Sequence, residues 1–155
     1  MKTLLTLFVL FFSSSVFADD ISDFQIEGIS IGDSLLDYLS EEEIRNSIVE
    51  QYQHLNDQSF TTVELFQSPL LTNYSSIQIN IKRNDKKYKI YGVEGTLYFT
   101  NNIIDCYKKQ DDIVSELSEF FGNEAKINTY TGKHRDDKSG NSKYTSTDFD
   151  FKTGS

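Results

Sequence analysis

The chain predicts an α+β fold, an antiparallel meander sheet with helices packed on one face. Three observations carry this. Ile77, Ile79 and Ile81 alternate with Ser76, Gln78, Asn80 and Lys82, the period of a strand with one buried and one wet face. Asn84-Asp85 is a turn signal between that run and a returning one. Helical patterns flank this β-rich middle, one opened by Ser40-Glu41-Glu42-Glu43 and one running from Cys106 to Phe121. Two helix-plus-sheet units in tandem, the second incomplete, would produce the order helices, meander, helix, strands. No residue-by-residue repeat relates the two segments.

Met1–Ala18 has the layout of a cleaved signal peptide. Lys2 gives a positive start, Leu4 to Phe12 an apolar run, and Val16 and Ala18 the small residues of a cleavage site. The apolar run falls short of the roughly 20 residues that a spanning helix needs. No Cys follows the site, so a lipid anchor is not indicated. The mature chain, Asp19–Ser155, is expected to form one domain with a modest core. Asp19–Asp23 reads as an acidic leader, and Phe24 to Ile31 as a short strand interrupted at Gly28.

Asp33 or Ser34 can cap a short helix over 34–39, with Leu35, Leu36 and Leu39 inward. In the second helix, 41–52, Ser40 and Glu43 form a capping box and Ile44, Ile48 and Tyr52 follow at helical spacing. The three glutamates suit the positive end of its dipole. Phe60–Phe66 is β-branched and aromatic, hence a strand, and Pro69 marks the loop after it. Tyr88 and Ile90 resume the alternation, Gly92 and Gly95 allow a bend or bulge, and Thr96–Thr100 reads as another strand. Asp105 can cap the long helix, with Cys106, Ile113, Val114, Leu117, Phe120 and Phe121 on its apolar stripe. Lys108, Lys109, Asp111, Asp112, Glu116 and Glu119 are assigned to its solvent side, and Gly122 to its left-handed stop. Ala125–Tyr130 and Tyr144–Phe151 are strands around the polar loop 132–142. A strand ending at Thr153-Gly154-Ser155 without a return strand suggests that the sequence is truncated at its C-terminus.

Composition narrows the partners. Twenty-four Asp and Glu against fifteen Lys and Arg give a net charge of −9. Such a chain is repelled by nucleic acid and by anionic lipid surfaces. Twelve Phe and nine Tyr argue against disorder, and the absence of Trp weakens a sugar-stacking surface. Cys106 is the only cysteine. Three readings stay open for it: a buried small hydrophobe, a link to another chain, or a partner beyond residue 155. A catalytic thiol has no neighbouring histidine in sequence to support it.

No catalytic residue, metal ligand or cofactor-binding residue is assigned. His54 and His134 lack companion ligands at metal spacing. Asp136 to Asn141 fails the calcium-loop pattern, since Lys138 stands at its third place. Gly92-Val93-Glu94-Gly95 lacks the lysine of a phosphate cradle, and no Gly-x-Ser-x-Gly elbow occurs. The one interaction patch is basic: Lys82, Arg83, Lys86 and Lys87 bracket the Asn84-Asp85 turn, and would suit an acidic partner.

The segment Ile29-Ser30-Ile31-Gly32-Asp33-Ser34-Leu35-Leu36, followed by a meander and a second helix, resembles small envelope proteins of the outer-membrane assembly lipoprotein and β-lactamase-inhibitor-protein type. The resemblance implies a helix packed on an antiparallel sheet. The chain departs from that pattern in having neither a lipid-attachment Cys nor paired cysteines, and no functional residue carries over. The expected function is that of an exported, periplasmic or extracellular, non-enzymatic module. It would bind an envelope protein or a small ligand through the open face or edge of its sheet. One rival is an envelope structural or stress factor without ligand. The other is a secreted hydrolase using Asp148 and Asp150 with His134.

Overall fold

The computed structural model describes residues 24–49 and 59–151. The signal-peptide and leader readings of 1–23, His54, the end of the expected 41–52 helix and the chain end at 152–155 lie outside the described residues. The fold is α+β, and the described residues form eight strands in antiparallel sheets and two helices, one of them long. Among the described residues no helix is long and apolar enough to cross a membrane.

Residues 25–30 form a hairpin rather than one interrupted strand. β1 (Gln25–Ile26) pairs with β2 (Ile29–Ser30). The two turn residues, Glu27 and Gly28, both have positive φ, +53° and +79°, as the tight I′ type requires. The first expected helix is a single 3-10 turn, Leu35–Asp37, capped by Ser34. The Ser34 hydroxyl accepts from Leu36 N–H and donates to the Lys87 carbonyl, tying the turn to the far end of the meander.

Helix α1 (Glu41–Asn46) carries the full capping box: Glu43 N–H donates to the Ser40 hydroxyl, and Ser40 N–H to the Glu43 carboxylate at 2.8 Å. It ends at Ser47, sooner than expected. Ile48 and Val49 leave it as β3 (Ile48–Val49) and pair with Val63 and Thr62. Two β-branched residues next to an open strand edge gain more from pairing than from another helical turn.

β3, β4 (Phe60–Phe66), β5 (Ser76–Lys82) and β6 (Ile90–Thr96) make the main sheet in that order. The alternation in β5 is realised: Ile77, Ile79 and Ile81 are buried, and with Val63, Leu65, Ile90, Ile29, Leu35 and Ile44 they form the core. On the opposite face Thr62 donates to Asn80 and Gln78 to Glu64. Asn80 opposes Gly92 but Ile81 opposes Ile90, so Tyr91 is the extra residue of a bulge beside Gly92. The strand expected at 96–100 is not formed beyond Thr96, where Ser75 N–H donates to the Thr96 carbonyl and the β5–β6 ladder ends.

Helix α2 (Ile103–Phe121) starts three residues earlier than expected. Its cap is Asn102, whose side chain accepts from Ile104 and Asp105 N–H. Asp105 sits inside the first turn and accepts from the Asn102 amide at 2.7 Å. Gly122 ends the helix at φ +52°. β7 (Ala125–Lys133) and β8 (Lys143–Phe151) form a separate two-stranded sheet. Phe121 is the only described residue of α2 that is buried. Its ring touches Phe24, Phe149 and Phe151.

Candidate functional site

A two-stranded hairpin is marginal on its own and needs a helix to cover one face. Here the cover is incomplete, and the gap is the site. The β7–β8 register puts Ile127, Thr129, Thr131, Thr145, Thr147 and Phe149 on one face and Tyr130, Tyr144, Asp148 and Asp150 on the other. The first face looks toward α2. Between them lies a cleft of about 630 Å³, within the size range of small-molecule sites.

Three walls enclose it. From α2 come Ile103, Cys106, Tyr107, Lys109, Gln110, Ile113, Val114 and Leu117, most of which recur at intervals of three and four and so share one stripe. From the hairpin come Thr131, Lys143, Thr145, Thr147 and Phe149. From the end of the main sheet come Tyr74, Gly95, Leu97 and Phe99. Cys106, Ile113, Val114, Leu117 and Phe149 are all only half-buried. The helix stripe expected to pack on a sheet therefore borders open space instead. One hydrogen bond crosses the gap, from the Gln110 amide to the Thr145 carbonyl at 3.2 Å. The threonine hydroxyls pair among themselves, Thr129 with Thr147 and Thr131 with Thr145, each at 2.9 Å. The threonines of that wall are thus polar yet satisfied by one another.

Tyr74 joins the cleft to the core. Its ring lies over Gly95 so closely that an added Cβ would stand 2.5 Å from it, so no other residue fits beneath the ring. Burial, with the charges of Glu27 and Glu116, pushes its hydroxyl pKa up. Its backbone N–H donates to Glu27, as do those of Thr72 and Asn73. Thr72 Oγ1–H and the Asn73 side-chain amide complete the set. Burial raises the Glu27 carboxyl, but these donors outweigh it and bring its pKa from 4.5 to about 2. The turn that begins the described chain is thereby clamped to the loop that carries Tyr74.

The basic patch read from sequence lies elsewhere. Lys82 ends β5 and the 83–89 connection follows, about 20 Å along the sheet from the Ser76–Thr96 end that borders the cleft. Lys82 sits over the Tyr91 ring at 4.7 Å, and Arg83 Nε donates to the Phe60 carbonyl. Lys86 and Lys87 are exposed. Backbone N–H groups of Lys87 and Lys89 hold the Asp85 carboxyl below its usual range. Arg83 is thus tied to β4, while Lys82, like Lys86 and Lys87, is exposed.

The hydrolase trio is not assembled. Asp148 and Asp150 oppose Asn128 and Lys126, and Asp150 accepts from the Asn128 amide. His134 follows the other end of β7, about 20 Å along the hairpin from Asp148. Asp137, in the loop that fails the calcium pattern, accepts from Ser139 and Ser142 N–H and so organises its own turn. Among the described residues no cluster of three or more His, Cys, Asp or Glu is placed to hold a metal ion.

Lys109 is the site residue that sequence reasoning placed on the wrong side. It stands three residues after Cys106 and four before Ile113, on the same stripe, and is half-buried. That spacing was the available signal; its charge argued the other way. No protein-family model, curated protein or solved structure matches the chain.

Proposed function

We propose that this chain is an exported, non-enzymatic binding module that holds a small, largely apolar molecule in the cleft beside α2. One observation carries the reading: the apolar stripe of α2 borders a cleft of about 630 Å³ instead of closing on a sheet. Unfilled apolar surface of this kind is unfavourable in water and favours a ligand that covers it. The separation of His134 from Asp148 and Asp150 removes the support that sequence proximity lent to a hydrolase. Export rests on the layout of Met1–Ala18, and protein isolated from its source is expected to begin at Asp19 by intact mass. An N-terminus at Met1 would sink that part of the proposal.

The cleft is tested with the uncharged dye N-phenylnaphthylamine. The protein is expected to enhance its fluorescence saturably, at one dye per chain. Ile113→Asp places a carboxylate in the apolar wall and should weaken that binding at least about tenfold. The unfolding midpoint should change little, because Ile113 lies outside the core cluster. Absence of saturable binding by the unmodified protein would refute the reading.

A further inference from the structure

We infer that the molecule held in this cleft is an amphiphile with an anionic head, a long-chain carboxylate in its simplest form, and that Lys109 and Lys143 receive the head. This rests on the binding reading above and names its ligand class.

The chain as a whole is strongly acidic, yet the charged residues lining the cleft are both cations. No described Asp or Glu lines it, although the charges of Glu27 and Glu116 are felt at Tyr74. The two lysines also stand on segments that meet across the cleft. Gln110, the residue after Lys109, is bonded to the Thr145 carbonyl, and Thr145 lies two residues from Lys143. Lys133 lies opposite Lys143 in the register, but its ammonium stands beside Gly140 in the hairpin tip and it is not part of the lining. Neither Lys109 nor Lys143 makes an ion pair with a described residue. Beyond Lys109 the helix reaches Leu117 and then the cluster of Phe121, Phe149 and Phe151. The cleft therefore sets two cations into an apolar lining, with Ile103 and Cys106 on one side of Lys109 and Ile113 and Leu117 on the other. From Lys109 to Leu117 it follows the helix for about 12 Å, most of the length of an extended dodecyl chain.

Dodecanoate and dodecanol share that chain and differ in the head, so displacement of N-phenylnaphthylamine by each separates the two parts of the argument. Dodecanoate should bind at least about tenfold more tightly than dodecanol. In Lys109→Gln/Lys143→Gln that preference should fall to within about twofold while the affinity for dodecanol stays the same. Equal affinities in the unmodified protein, or a preference that survives the double substitution, would overturn the anionic head and leave the cleft reading intact. If neither displaces a dye that itself binds saturably, the amphiphile is overturned and the cleft reading stands on the dye alone.

Discussion

Ile79→Ala is expected to lower the unfolding free energy by about 3–4 kcal/mol, within the range for truncating a fully buried isoleucine. Ile79 lies in the middle of β5, between Val63 on one side and Val93 on the other, and is 0 % exposed. The substitution removes apolar contact and leaves a cavity that two flanking strands, both paired along their length, have little freedom to close. Domains of this size are stable by only about 5–15 kcal/mol in total, so the loss is a large share. Urea unfolding should show a lower midpoint with an unchanged slope. Ile127→Ala serves as the contrast. Ile127 is 42 % exposed on β7, and its loss should stay within about 1 kcal/mol. Equal losses at the two positions would mean that the core is not where the burial pattern puts it.

Glu27→Gln should cost about 1–2 kcal/mol at neutral pH. The change keeps the shape of the side chain but removes the charge that three consecutive backbone N–H groups and two side chains address. The carboxylate is partly solvated, so the loss is smaller than the whole pKa displacement would give. The sign follows from the direction of that displacement. The folded-state pKa, about 2, lies below the ordinary 4.5. The stabilisation is therefore complete above pH 4.5 and fades as pH falls toward 2. The gap between the unmodified protein and the variant should be widest near pH 6 and close progressively below pH 4.5. A gap independent of pH would show that Glu27 acts by shape alone.

What the sequence revealed and what it hid divide along the distance over which each signal acts. The alternation in 76–82 and the Ser40–Glu43 box depend on neighbours in the chain, and both appear as read. Ile48 was ambiguous because it also continues the helical spacing of Ile44. The choice was made by Val63, a strand partner fifteen residues away. Thr96 ends its strand for the same kind of reason, since the limit is set by where the ladder with β5 ends. Asn102 and Asp105 both carry a capping side chain, and the pattern alone ranked them wrongly. The Glu27 clamp had no local signature, because its acceptor and its donors lie forty-five residues or more apart. The cleft was hidden deepest. An apolar stripe looks the same in sequence whether it meets a sheet or faces a gap.

The core cluster ends at Val93, and beyond it the only buried apolar residue described is Phe121. The molecule therefore has two grades of cohesion. The β1–β6 part is expected to come apart only as a whole, whereas among the described residues α2 and the β7–β8 hairpin are joined to each other mainly through Phe121 and the Gln110–Thr145 bond, and α2 to the chain before β1 through the contacts of Phe24 with Phe120 and Phe121. Regions so thinly held open locally, well below the free energy of global unfolding. In surroundings rich in proteases such a segment is the first to be cut, and anything that occupied its gap would lengthen its life. Survival of the C-terminal third would then track the supply of whatever fills it.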